Sequence, residues 1–172
     1  EVTPADGGVC DLFAGSGCVS RKLSKVFPVI ACDIQEYSKV IGNALLNKFD
    51  ITDSDVNDFF AKINTAEAEK LRLAFAPLIH LEHSAIENKN LEVLTCILEH
   101  GSTEVFDIEH SISCLSDKLR VASKHLEDNG LNNEQSLISR YYGGVYFSYK
   151  QAVEIDIILE GIQRFVIKEN RD

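Results

Sequence analysis

The chain has 172 residues, 45% of them hydrophobic, enough for a sizeable core and too many for a disordered segment. No apolar run approaches the ~18–20 residues that span a bilayer, so no transmembrane helix is expected, and the opening Glu1-Val-Thr-Pro-Ala-Asp6 lacks the basic start of a signal peptide. The net charge of −10 is uneven: residues 51–140 carry sixteen acidic and eight basic side chains, which excludes that stretch as the main clamp on duplex phosphates.

The first expected element is an apolar strand at about residues 8–13, running into the glycine-paired turn Ala14-Gly-Ser-Gly17. A helix over about 18–27 follows, with Val19, Leu23 and Val26 at helical spacing opposite Arg21, Lys22 and Lys25. Pro28 closes it. A second strand at about 29–33 ends in Asp33, and another helix is expected over about 36–46.

Strand, glycine turn, helix, strand and terminal acid together have the shape of a β-α-β unit that binds an adenosine-containing cofactor. Gly15 and Gly17 allow positive φ and a close backbone approach to the ligand. Asp33 can accept hydrogen bonds from both ribose hydroxyls. A nicotinamide site asks for a third Gly or Ala and a helix N-terminus facing a pyrophosphate. Here Ser20 stands in the third place. S-adenosylmethionine needs instead an open loop for its methionine part and an acid for its ammonium, a job that suits Asp11 acting through water.

From residue 50 to 140 the signal turns helical. Thr52-Asp-Ser-Asp55 reads as a cap ahead of Val56, Phe59, Phe60 and Ile63. Residues 66–75 are rich in helix formers, residues 91–100 end at Gly101, and a further helix is expected over 112–126, closed by Asp128-Asn-Gly-Leu-Asn-Asn133. Residues 90–101 also read like one helix of an ankyrin repeat, but no copy recurs at that period, so an ordinary amphipathic helix is expected. Tyr141-Tyr-Gly-Gly144 is a turn flanked by aromatics, Tyr146 and Phe147 included, which could stack on a base, line a cofactor pocket or plug the core. Ser148-Tyr-Lys-Gln151 matches a capping box, and Ala152, Ile155, Leu159 and Ile162 recur on one face of a helix over about 149–166.

Five cysteines, Cys10, Cys18, Cys32, Cys96 and Cys114, form no CxxC pair, and Cys10 and Cys32 lie in apolar runs. Reduced, buried thiols in a cytoplasmic protein are expected. His80, His83 and Glu87 share a helix face at metal-ligand spacing, but solvated side chains are the simpler account, so no metal site is expected.

At this point the residues resemble a family. Asp11-Leu-Phe-Ala-Gly-Ser-Gly17 is similar to the Asp-x-Phe-x-Gly-x-Gly motif of class I methyltransferases. Cys32-Asp-Ile-Gln-Glu-Tyr-Ser38 resembles the segment that follows it in Dam-like, adenine-specific DNA methyltransferases of restriction–modification systems. Tyr142-Gly-Gly-Val-Tyr-Phe-Ser148 with Lys150-Gln-Ala-Val-Glu-Ile-Asp156 is similar to a third block of the same enzymes. The three blocks cover roughly a third of the chain.

The resemblance implies an α/β, Rossmann-like class I methyltransferase fold, present in part. Its divisions are an S-adenosylmethionine-binding β-α-β unit (1–50), a largely helical insertion (51–140), and a Gly-Gly aromatic turn with a helix packing back on the α/β core (141–172). It implies cofactor contacts from Asp11, Phe13, Gly15 and Gly17 at the methionine end, ribose binding by Asp33 and adenine packing on Ile34, with Tyr37 either a wall of the site or core packing. The implied reaction moves a methyl group from S-adenosylmethionine to the exocyclic amine of adenine in DNA, with a restriction-system partner and DNA contacts made outside this chain. Catalysis in such enzymes uses an Asp-Pro-Pro-Tyr-type motif. The only prolines are Pro4, Pro28 and Pro77, so the chain contains no such motif and no catalytic residue is assigned in it. With no Met at position 1 or elsewhere, the chain reads as an excerpt of a longer protein. The alternatives are a nicotinamide-dependent oxidoreductase fragment and a non-catalytic cofactor-binding or protein-interaction module.

Overall fold

The computed structural model describes residues 7–47, 51–104 and 112–169, with side chains to 164. The chain divides into two compact units, Glu1–Thr52 and Asp53–Asp172. In the first, strand β1 (Val9–Asp11), helix α1 (Cys18–Leu23), strand β2 (Val29–Ala31) and helix α2 (Glu36–Leu46) follow in order. The two strands pair in parallel, with Val9 opposite Val29, Cys10 opposite Ile30 and Asp11 opposite Ala31. Both strands are shorter than their apolar runs, because Leu12 and Phe13 leave the ladder to enter the glycine turn. Pairing continues past the strands all the same: Cys32 N–H donates to Asp11 O at 2.8 Å and Ala14 N–H to Cys32 O at 3.0 Å. Helix α1 stops four residues before Phe27 and finishes in a tight turn, with Val26 and Phe27 N–H both on Leu23 O at 2.9 Å. Pro28 disfavours helical backbone at the residue before it, which explains the early stop.

The sheet corrects one expectation, the burial of the strand cysteines. Among the described residues it has two parallel strands joined through α1, a β-α-β unit and no larger sheet. Cys10 and Cys32 are exposed rather than buried, as are Cys18 and Cys114; Cys96 alone of the five is buried. Strand side chains alternate between faces. Val9, Asp11, Val29 and Ala31 are half-buried, while Cys10, Ile30 and Cys32 share the other, open face.

The second unit is helical: α3 (Asp53–Ile63), α4 (Ala66–Glu87), α5 (Leu91–His100), α6 (Ser113–Asp128), α7 (Leu137–Tyr141) and α8 (Tyr149–Glu169). Helix α4 is its axis and packs on α5, α6 and α8. Leu71, Ala74, Phe75 and Leu78 form its buried stripe at helical spacing, and Leu115, Leu119, Ala122 and Leu126 form that of α6. The composition-based helix over 66–75 extends in fact through Pro77 to Glu87. An interior proline costs about 3 kcal/mol. Burying Leu71, Phe75 and Leu78 contributes roughly 1.5–3 kcal/mol each and outweighs it. Among the described residues no helix is long and apolar enough to cross a membrane.

Helix α8 starts where the capping box places it. Ser148 N–H donates to Gln151 Oε1 and Gln151 N–H to Ser148 Oγ, both at 3.2 Å. Its buried face differs from the expected one. Ala152, Val153, Asp156 and Ile157 are buried, whereas Leu159 and Ile162 are exposed. Asp156 sits inside because it caps α7, a helix that the sequence does not announce: Ile138 N–H donates to Asp156 Oδ1 at 2.9 Å, and Ser139 N–H at 2.7 Å and Ser139 Oγ to Asp156 Oδ2. Helix α8 packs on α3, α4 and α7. Residues 141–169 therefore pack with the helices before them, within the unit that begins at Asp53.

Asp156→Ala strips two buried donors on Ser139 and a half-buried one on Ile138 of their acceptor, each buried unsatisfied group costing ~1–3 kcal/mol. We expect a loss of about 3 kcal/mol in urea unfolding; a loss below ~0.5 kcal/mol would show that this carboxylate does not hold α7.

Candidate functional site

The strand-to-helix turn of the first unit is built from backbone geometry. Gly15 (φ 50°) and Gly17 (φ 71°) both lie in the left-handed region. A Cβ on Gly15 would meet nothing closer than Phe13 O at 4.0 Å, and one on Gly17 would touch Leu45 Cδ1 at an ordinary 3.4 Å. Conformation, and not crowding within the chain, is what calls for glycine here. Gly17 N–H closes the turn on Ala14 O at 2.7 Å.

Asp33 lies just past β2 and is joined to that turn. Its Oδ2 accepts from Gly15 N–H at 2.8 Å and its Oδ1 from Gln35 N–H at 2.9 Å. One carboxylate thus ties the glycine turn to the start of α2. The Gln35 and Gly15 amides favour its charged form and hold it below the usual carboxylate range, against a smaller opposing effect of desolvation.

Asp11, at the end of β1, is half-buried and bonded to the helix that follows. Its Oδ2 accepts from Ser20 Oγ at 2.6 Å, and Ser20 is fully buried in α1. In the sequence Ser20 stands out only as a departure from the nicotinamide pattern. In the structure it fastens the first turn of α1 to the end of β1. Phe13 and Ile34, 91% and 98% exposed, are the most exposed large apolar side chains among the described residues. Tyr37 is also exposed, which places it outside the core. A hollow of about 570 Å³ opens beside Asp33, with Ala14, Ala31, Cys32, Ser38 and Lys39 among its lining. That volume falls within the range of small-molecule sites.

In the helical unit, His83 Nδ1 lies 3.5 Å from Glu87 Oε1, with both side chains exposed. Among the described residues no group of three or more His, Cys, Asp or Glu is arranged to hold a metal ion.

Comparison with known proteins gives one match. A family model described as the D12 class N6 adenine-specific DNA methyltransferases covers residues 1–99, more than half of the chain. The match runs past Thr52 through α3, α4 and most of α5, so it spans helices as well as the β-α-β unit. The Tyr142–Asp156 block lies beyond it. No curated protein and no solved structure matches.

The two amide bonds to Asp33 set a pH response. A carboxylate whose folded pKa is depressed contributes stability that is present above its unfolded value and is lost as pH falls through the folded one. NMR titration should show the Asp33 side chain and the Gly15 and Gln35 amides moving together, with a midpoint below that of a free aspartate. Independent midpoints, or one at the ordinary value, would refute the link.

Proposed function

The chain belongs to the D12 class of N6 adenine-specific DNA methyltransferases, and from that premise we propose that its first unit is the seat of S-adenosylmethionine. Enzymes of this class methylate the exocyclic amine of adenine in DNA, and the family generally uses S-adenosylmethionine as donor. The donor set in the first unit fits that molecule. Each oxygen of Asp33 spends one acceptor site on a backbone amide and keeps another, enough for the two ribose hydroxyls. Phe13 and Ile34 flank the Gly15–Asp33 bond in sequence with their side chains in water, available to cover the methionine and adenine ends. Gly15 and Gly17 leave the turn without side chains where the ligand would run.

The observation that carries this reading is the bond between Gly15 and Asp33, residues 18 apart in sequence, which joins the two halves of the cofactor motif. When bound, the cofactor supplies a methyl group on a sulfonium. The residues of this chain bind and orient it: Asp33 holds the sugar, the glycine turn leaves room for the methionine chain, and Ile34 covers the base. Asp11 fixes Ser20, and with it the start of α1, through Oδ2, and its other oxygen takes the cofactor's ammonium through water. Nothing supports a nicotinamide instead, since the third position of its glycine pattern is taken by a serine bonded to Asp11. DNA contacts and the adenine-activating groups are assigned to no residue of the first unit.

Isothermal titration of the 172-residue chain with S-adenosylmethionine and, separately, NADH tests the reading. Binding of the first alone is expected. Asp33→Ala should weaken it roughly tenfold to a hundredfold, as expected for losing hydrogen bonds to a charged group, and Ile34→Ala by a few-fold with the circular dichroism unchanged. Binding of NADH alone, or of neither, would overturn it.

A further inference from the structure

Three of the five tyrosines, Tyr141, Tyr142 and Tyr146, fall in one short stretch, and all three are exposed. The turn that carries them is stiff. Gly144 N–H donates to Phe147 O at 2.8 Å, and the N–H groups of Tyr146 and Phe147 both donate to Tyr142 O, at 2.9 and 3.0 Å. Gly144 holds φ at 77°, and a Cβ on it would lie 2.6 Å from Tyr149 Cζ. Tyr149 is fully buried and its hydroxyl donates to Gly101 O at 2.7 Å, so the turn rests on a ring locked into the core.

That stiffness holds an aromatic out in water. Phe147 meets the Tyr146 ring edge-on, with centroids 5.1 Å apart, yet Tyr146 remains 79% exposed. Ordering a backbone costs conformational entropy, and here the ordered turn gains no burial of the ring at its tip. An ordered aromatic with a free face is what stacking on an unstacked base requires, and such stacking is sequence-tolerant because every base has a π-face. Stacking itself is not ionic; the acidic surplus of residues 51–140 repels the strand that carries the base and so lowers the affinity of this chain alone, without deciding where a base stacks.

We propose that the turn 142–147 is a stacking platform, with Tyr146 as its principal ring, for an unstacked base of the DNA substrate. The proposal rests on the methyltransferase reading, because extracting an adenine from the duplex breaks its stacking.

The test uses the 172-residue chain at about 0.15 M salt, which screens its net charge of −10 from the phosphates, with oligonucleotides carrying 2-aminopurine, either single-stranded or unpaired within a duplex. Wild type and Tyr146→Phe, which keeps the ring, should quench the probe with equal midpoints. Tyr146→Ala should raise the midpoint roughly fivefold or more, with its urea unfolding midpoint unchanged because the side chain is outside the core. Equal midpoints for wild type and Tyr146→Ala, or no quenching by wild type, would overturn the platform. Titrating S-adenosylmethionine into the same proteins separates the two ideas. Cofactor binding without any Tyr146 effect sinks only the platform, and a Tyr146 effect without cofactor binding sinks only the seat.

Discussion

Asp33 accepts one N–H from a turn eighteen residues earlier and another from the helix that follows it. Among the described residues the first unit has a sheet of two short strands, which by itself is marginal in water. Its order comes from contacts that bridge the ends of those strands: Cys32 with Asp11 and Ala14, Ser20 with Asp11, and Asp33 with Gly15 and Gln35. Removing the Asp33 carboxylate would leave the left-handed glycine turn held on one side only. The geometry of the candidate site is therefore inseparable from the geometry of the unit.

Those contacts also mark which parts of the site are legible in the sequence. Gly15, Gly17 and Asp33 carry constraints that act within a few residues: a positive φ, a strand end, a capping carboxylate. Such constraints leave a sequence pattern, and their positions follow from it. The role of Ser20 and the engagement of Asp11 do not, because a hydroxyl buried nine residues from its acceptor has no local signature. The exposure of Cys10 and Cys32 escapes the sequence for a related reason. An apolar run signals a strand, but whether its second face is covered depends on a neighbouring layer, and the run says nothing of that layer.

In the helical unit the same division holds. Helix α8 begins at the cap expected for it, the Ser148–Gln151 pair, while α5 begins at Asn90, a local cap outside the expected features, which mark this helix by its Gly101 stop. Helix α4 outruns its expected end because tertiary packing around Phe75 and Leu78 overrides the helix-breaking tendency of Pro77. The face expected for α8 is turned because apolar periodicity cannot see that a carboxylate belongs inside. Asp156 is buried by its bonds to α7, and the hydrophobic positions Leu159 and Ile162 give way to it.

The caps lent across the helical unit bear on the order in which it assembles. Five residues of α7 are far too few to sustain a helix alone, since nucleation is costly and isolated short helices are marginal. Its acceptor lies on α8, and the first amide of α8 in turn bonds to Glu82 on α4, 67 residues earlier in the chain. Helix α8 can begin on its own capping box, but α7 lacks a local cap and waits for Asp156 of α8, so α7 belongs to a later, less local stage of folding than the helix that caps it.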